Sequence, residues 1–450
     1  MTMTRSTRAS WFATALAALT LSCAQSHPNL EALYGHKEPP RTPLVLVHGI
    51  LGARLRNVRT GREVWPGSSF HLLSHRYDDL ALPIDSKTLV AEEGDLTAYD
   101  IVDGALGHDF YGRLLETLTG PGQYRLGDLP GRPRTLYCFY YDWRLDNAVS
   151  AARLDELIET IRRAHGEPNL RVDIVAHSMG GLIVRYFARF GREDVLDQEH
   201  PAPTFSGARK IRKSVFIATP NLGAVSGLEA AVEGVRVGLG TIPPEVAATW
   251  PATYELLPSG DSDWMVDAEG RRVDHDLFDL STWRKYGWSI FAPQTRKRIL
   301  RQFRDASGGE RYMATLEAFV ARSLVRAGRF LRAIALPPPG VENEEAIFGG
   351  DCVATQARCV VESVGGAERV RLRPEDVSSH SSTVPYRRLM LEPGDGTVTK
   401  TSTLGRGLPE TPSNAPRGFS ARAFFLCQRH DDLPGNITLR DNLLNILLGQ

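Results

Sequence analysis

The sequence predicts an α/β chain: a mostly parallel sheet with helices on its faces, interrupted by one large insertion. Three observations carry this. Short, continuous apolar runs at 43–47, 135–141, 172–176 and 213–219 alternate with helical apolar spacing at Leu154, Leu157, Ile158 and Ile161, and again at Leu182, Ile183, Tyr186 and Phe187. That is the pattern of buried parallel strands joined by crossover helices. The third run stops at Ser178, held between the small residues Ala176 and Gly180, and turns at once into the second helical stretch. After Pro220 the alternation lapses until about Ala346, which marks the insertion.

At the N-terminus, Arg5 and Arg8 precede an apolar run from Ala9 to Leu21. The run is too short to span a bilayer stably and has the form of an export signal. Residues 1–24 are therefore set apart from the fold, with cleavage after Ala24 giving a soluble exported (periplasmic or extracellular) protein. The alternative is a lipoprotein anchored through Cys23, since Leu21-Ser22-Cys23 resembles an imperfect lipoprotein box. Of the other cysteines, Cys352 and Cys359 flank a short turn-like stretch and are the disulfide candidates in an oxidising compartment. Cys138 and Cys427 lie inside apolar runs and read as buried free thiols. A chain of 450 residues, 42% hydrophobic, has ample core for one α/β domain with insertions or for two or three domains. Its 53 basic and 53 acidic residues cancel, so nucleic acid is not an expected partner. No C-x-x-C or H-E-x-x-H spacing suggests a metal, and no cofactor is expected.

In chain order, Pro43 to Val47 is a core strand that feeds His48-Gly49-Ile50-Leu51-Gly52. A glycine-containing loop there can aim a free backbone N–H at a neighbouring site. His48, at the strand end, reads as a structural hydrogen-bonding residue and not as a base. Residues 54–133 lack strong periodicity and read as an irregular insertion, whose aromatics pin a long loop to the core or form an interfacial patch for lipid. Thr135 to Tyr141 is a second core strand, followed by Asp142-Trp143-Arg144. An adjacent aspartate and arginine at a strand end most simply brace the glycine loop, the other use being contact with a substrate head group. The helix from Asn147 to His165 stops at Gly166 and Pro168 and delivers the chain to Val172 and the turn at Ser178. Small residues on both sides of that serine let strand and helix approach closely while the hydroxyl is exposed on a strained turn, the nucleophile-elbow arrangement. His177 reads as a packed neighbour of the turn.

The insertion, 223–344, holds glycine-spaced and aromatic stretches, with two tryptophans, a tyrosine and a phenylalanine between Trp283 and Phe291. It reads as a cap over the serine that excludes water and shapes an apolar pocket, or else as a separate structural lobe. After it come short strands at Ala346–Phe348 and Arg358–Val361, then the turn Gly394-Asp395-Gly396, then a last strand at Ala423–Cys427 with His430 just beyond. A closing helix carries Leu443, Leu444, Ile446 and Leu447. Serine, then aspartate, then histidine, each at a strand end, is the chain order of the α/β-hydrolase fold.

Tyr141-Asp142-Trp143-Arg144, Ala176-His177-Ser178-Met179-Gly180 and Gly394-Asp395-Gly396-Thr397-Val398 together resemble the lecithin:cholesterol acyltransferase family, which includes lysosomal phospholipase A2 and the phospholipid:diacylglycerol acyltransferases. The resemblance runs from about Pro43 to Gly449. It implies an α/β-hydrolase core over 40–222 and 345–450 with the cap inserted, Ser178 as nucleophile, Asp395 as acid, His430 as base, and Ile50 and Met179 as oxyanion donors. The chain departs from the family at His48, where the best-known members have proline, and lacks their cysteine pattern in the first insertion. The implied activity is acyl transfer from lipid esters, phospholipid or neutral lipid, through an acyl-enzyme at a lipid or membrane surface. Water as acceptor would make the protein a lipase or phospholipase, and an alcohol would make it an O-acyltransferase. The contrasting expectation is a catalytically silent, exported lipid-binding protein on the same fold. Asn436-Ile437-Thr438 matches a glycosylation sequon and reads as a chance match.

Overall fold

The computed structural model describes residues 28–68, 76–105, 108–127, 135–199, 201–259, 263–336, 344–378, 384–405 and 422–449. The export-signal and Cys23 expectations fall outside these residues. A six-stranded sheet organises the chain. Its strands are β1 (Leu44–Val47), β2 (Leu136–Phe139), β3 (Val172–His177), β4 (Ile211–Ile217), β5 (Glu344–Gly350) and β6 (Arg422–Leu426). Their spatial order is β6-β5-β4-β3-β1-β2, and every pairing is parallel. Every β1 and β3 residue is buried, as their near-continuous apolar sequences require for strands covered on both faces.

The two faces separate by alternation. Val45, Val47, Ile174 and Ala176 join one core, and Leu44, Leu46 and Val175 join the other. The first core receives helices α1 (Asn147–His165), α2 (Met179–Phe190) and the end of α3 (Ala306–Ala335). The second receives Leu114 and Leu118 of the helix Gly112–Thr119 and Leu439, Leu443, Leu444 and Leu447 of α4 (Ile437–Leu448). Asp146 caps α1 by accepting from Ala148 N–H, and Gly166 ends it in the left-handed region. The chain leaves β1 toward one edge through β2 and then turns back to β3 and the opposite edge. Such a switch point opens a crevice at the carboxyl ends of the strands.

The first insertion is more ordered than its sequence indicates. Residues 53–57, 63–65 and 96–101 form a three-stranded antiparallel sheet, and 112–119 is a helix. Register shifts at Leu55 interrupt the two-residue alternation that would have marked these strands. In the cap, α3 spans 30 residues, about 45 Å of helix. Its buried positions, among them Leu316, Phe319, Val320, Leu324 and Ala327, pack with Tyr254, Trp283 and Trp288 in a core belonging to the cap. The strand at 358–361 also lies with the cap. Cys359–Val364 runs parallel to Met265–Asp267 and antiparallel to Ala367–Arg371, outside the main sheet.

The disulfide expectation is corrected. Cys352 is bonded to Cys427, not to Cys359, with Cα atoms 5.1 Å apart. Strand pairing explains the choice: Gly350 of β5 sits opposite Leu426 of β6, so the two cysteines emerge side by side from neighbouring strands. Cys359 is a buried thiol in the cap core, and Cys138 is a half-buried one.

The contact between α2 and the segment just after β4 leaves no room for a side chain at Gly181. A Cβ there would lie 1.9 Å from Thr219 Oγ1, and Thr219 is itself fully buried. Gly181→Ala is therefore expected to destabilise the protein by about 1–3 kcal/mol in urea unfolding, with partial recovery in Gly181→Ala/Thr219→Ala. An unchanged midpoint in the single variant would contradict this packing.

Candidate active site

The turn from β3 into α2 bends sharply at Ser178, which has φ 53° and ψ −127°, a conformation costing a non-glycine residue on the order of 1–3 kcal/mol. Two features hold it there. Ser178 N–H donates to Ile217 O at 2.8 Å, and its carbonyl accepts from Gly181 N–H at 3.0 Å. Backbone crowds it on either side: a Cβ at Gly180 would lie 2.4 Å from His48 O, and one at Gly49 would lie 2.9 Å from Ser178 Cβ. Ala176 faces the core two residues earlier and is fully buried, so its methyl group is accommodated where a glycine stands in the commoner pattern.

Asp395 and His430 reach the serine from separate loops. Asp395 Oδ1 accepts from Thr397 and Val398 N–H at 2.9 and 2.7 Å, and its carbonyl accepts from His430 N–H at 2.9 Å. His430 Nδ1 lies 2.8 Å from Asp395 Oδ2, and Nε2 lies 3.0 Å from Ser178 Oγ. This arrangement fits a neutral imidazole that donates from Nδ1 and accepts the serine proton at Nε2. Burial disfavours the charged imidazole, yet the adjacent carboxylate outweighs it and holds the His430 pKa above the ordinary histidine value. Burial likewise opposes the Asp395 charge, while His430 and the two N–H donors keep that carboxyl below its usual range. The loops are drawn together at Gly350, where a Cβ would meet both Asp395 Cβ and Gln428 O at 2.6 Å. The Cys352–Cys427 bond joins the same two strand ends, three residues before His430.

The loop after β1 passes over the serine. Its Ile50 N–H is engaged by no acceptor among the described residues, and Met179 N–H heads α2, where no intrahelical acceptor exists. Gly52 N–H closes the loop onto Gly49 O at 3.1 Å. His48 is fully buried, its Nδ1 is 2.7 Å from Gly49 O, and its ring stacks on Tyr141 with centroids 4.1 Å apart. Burial lowers its pKa to about 4, so it stays neutral.

The Tyr141–Arg144 stretch ties this loop to the first insertion. Tyr141 Oη–H donates to His48 O at 2.7 Å, and Trp143 Nε1–H donates to Ala53 O at 3.0 Å. Arg144 grips Asp142 through Nε at 2.9 Å and Nη2 at 2.6 Å, and Nη1 donates to Leu80 O at 3.1 Å. Trp65 Nε1–H donates to Leu51 O at 2.8 Å, and its ring meets Trp143 edge-on, as Trp143 meets Trp250 of the cap. Tyr141 and Trp143 thus hold the loop after β1 at His48 and Ala53, while Asp142 and Arg144 pair with each other and reach Leu80.

Tyr111 was not singled out from the sequence. Its hydroxyl accepts from Gly49 N–H at 2.9 Å and lies 2.8 Å from His177 Nδ1. Cap and acid loop also touch: Ser226 Oγ–H donates to Thr397 O at 2.9 Å, and Ser402 Oγ–H donates to Gly223 O at 2.7 Å. A cavity of about 650 Å³ lined by Trp264, Phe278, Arg272 and Leu331 contains none of Ser178, Asp395 and His430. Among the described residues no cluster of three or more His, Cys, Asp or Glu is placed to hold a metal.

The chain matches the family model described as lecithin:cholesterol acyltransferase over residues 131–282. That segment contains Tyr141–Arg144 and Ser178, and it ends before Asp395 and His430. Among solved structures, the Tle4–Tli4 complex contains a chain 14% identical to this one, with 91% of this chain and 98% of that chain covered at TM-score 0.50. Lipase 1 from Pelosinus fermentans is 15% identical, with 91% and 99% covered and a TM-score of 0.36. EstA from Clostridium botulinum is 12% identical, with 94% and 95% covered and a TM-score of 0.36. No curated protein matches the chain in sequence. The sheet topology and the first of these likenesses establish an α/β-hydrolase fold, and the chain is similar to the lecithin:cholesterol acyltransferase family.

Arg144→Met would leave Asp142 buried without its counter-ion. The expected cost is about 3–5 kcal/mol in chemical unfolding. A variant as stable as the parent would contradict the role of this buried ion pair in holding the fold.

Proposed function

We propose that this chain is a serine-dependent lipid-ester enzyme that works through an acyl-enzyme on Ser178. The observation that carries the reading is the hydrogen-bonded line Ser178 Oγ, His430 Nε2, His430 Nδ1, Asp395 Oδ2, with links of 3.0 and 2.8 Å. His430 takes the serine proton as Oγ attacks the ester carbonyl carbon. The carbonyl oxygen becomes an oxyanion facing the N–H groups of Ile50 and Met179, each such donor being worth roughly 3 kcal/mol. Collapse of this intermediate expels the alcohol, which takes the proton from His430. A second nucleophile, deprotonated by His430, then attacks the Ser178 ester and releases the acyl group.

The family resemblance supports a lipid acyl ester as donor, phospholipid or neutral lipid, met at a lipid surface. With water as the second nucleophile the protein is a lipase or phospholipase, and with an alcohol it is an O-acyltransferase. Ser178 and His430 are 6% and 7% exposed, so water and acceptor alcohol must both pass the elements packed over the strand ends. Export, as a soluble protein or anchored through Cys23, is supported by the apolar run at 9–21 and by a disulfide of the kind that persists in oxidising compartments. No helix among the described residues is long and apolar enough to cross a membrane.

Because general-base action needs neutral His430, and Asp395 raises that pKa above 6.5, kcat/KM is expected to fall as pH drops, with a midpoint above about 6.5. A pH–rate profile on a soluble ester checks this, and an acid limb below pH 6 would contradict it. Incubating phosphatidylcholine or triacylglycerol vesicles with and without a long-chain alcohol or sterol reads the second step. Fatty acid alone indicates hydrolysis, and an ester of the added alcohol indicates transfer. No acyl product of either kind from any vesicle, with Ser178 unlabelled by a fluorophosphonate in the folded protein, would refute the enzyme reading.

A further inference from the structure

We propose that Tyr111 is a positioning residue for the reaction, because its hydroxyl joins the residue before the oxyanion donor to the residue before the nucleophile. The inference rests on the reading above that Ile50 N–H faces the oxyanion formed at Ser178. Gly49, next to Ile50, donates its N–H to Tyr111 Oη at 2.9 Å, and His177, next to Ser178, brings Nδ1 to the same oxygen at 2.8 Å. Tyr111 is 3% exposed, His177 is 6% exposed, and the two rings meet edge-on with centroids 5.6 Å apart.

The direction of the Gly49 bond is fixed, and that of the His177 bond follows the tautomer of the ring. A phenol carries one hydrogen. The Gly49 N–H must donate, so Tyr111 Oη accepts from it, and with the His177 ring protonated on Nε2 the hydroxyl hydrogen goes to Nδ1. His177 is then neutral with its proton on Nε2, which meets no partner at hydrogen-bond geometry, and its ring centroid is 5.0 Å from that of His430. Burial agrees with a neutral ring, lowering the His177 pKa to about 3. Burial also pushes the Tyr111 hydroxyl pKa up, so it keeps its hydrogen.

The hydroxyl thus spans the gap between two elements that touch without being covalent neighbours. The Gly49 backbone passes so close to Ser178 that a Cβ would lie 2.9 Å from the serine Cβ. On one side Tyr141 holds the loop through His48 O, and on the other Tyr111 holds it through Gly49 N. Tyr111 is itself anchored at the head of the helix 112–119, whose Leu114 and Leu118 share a buried core with Leu433 and α4. Losing the hydroxyl removes the tether and spares that packing.

The test is a double-variant cycle on p-nitrophenyl butyrate, with kcat, KM and melting temperature measured for Tyr111→Phe, His177→Leu, His177→Gln and Tyr111→Phe/His177→Leu. Tyr111→Phe and His177→Leu are each expected to lower kcat roughly 10- to 100-fold with KM within about threefold, the cost of a misplaced transition-state donor. The double variant should lie within about twofold of the weaker single, because both changes break one bridge. His177→Gln, which keeps an acceptor for the hydroxyl, should lose less kcat than His177→Leu. Multiplying losses in the double variant, or an unchanged kcat with only a lower melting temperature, would overturn the proposal. Should Tyr111→Phe fail to fold, equal kcat in His177→Gln and His177→Leu would overturn it by itself. Parental turnover in Ser178→Ala would instead strike the acyl-enzyme reading on which the proposal stands.

Discussion

The close approach of backbone to backbone around Ser178 is the constraint on which the rest of the structure depends. A positive φ at a serine is unfavourable, and it persists because the surroundings over-determine it. The loop after β1 presses from one side at Gly49, and α2 lies against that loop at Gly180 and against the segment just after β4 at Gly181. Parallel pairing of β1, β3 and β4 puts those three segments at one end of the sheet, where the chain reverses direction across it. Ser178, the loop after β1 and the end of β4 therefore meet as a consequence of strand order.

Around this strained turn the carboxylates Asp395 and Asp142 are matched to partners in the protein, while His48 Nε2, His177 Nε2 and Thr219 Oγ1 meet none among the described residues. Asp395 receives two backbone N–H donors besides His430, which lets it remain charged while nearly closed to solvent. Asp142 and Arg144 neutralise each other in the same way and leave the guanidinium free to hold Leu80. The Trp65, Trp143 and Trp250 rings join first insertion, core and cap in one edge-to-face line. Two of these rings, Trp65 and Trp143, also donate to Leu51 O and Ala53 O along the chain that follows β1.

Features encoded locally were legible in the sequence. The β1 and β3 strands announce themselves as apolar runs because both faces are covered, and the Ser178 turn does so by its small neighbours. The order of Ser178, Asp395 and His430 along the chain is visible once the strands are placed. Features set by partners far along the chain were not. Tyr111 meets Gly49 and His177 across 62 and 66 residues, and nothing beside it in sequence marks the hydroxyl. Cys352 finds Cys427 across 75 residues because β5 and β6 are neighbours, a pairing that spacing to the nearer Cys359 conceals. The helix 306–335 did carry a signal in Leu316, Phe319, Val320, Leu324, Ala327 and Leu331, diluted by the glycines and arginines between them.

The central claim is a covalent acyl group on Ser178. Rapid quenching of the protein during turnover of an ester with a good leaving group, such as p-nitrophenyl butyrate, followed by digestion and mass spectrometry, tests it directly. The account predicts a burst of p-nitrophenol release and a peptide containing Ser178 heavier by one acyl group, absent from Ser178→Ala. Steady turnover with no acylated peptide, or the same adduct on a different residue, would contradict it.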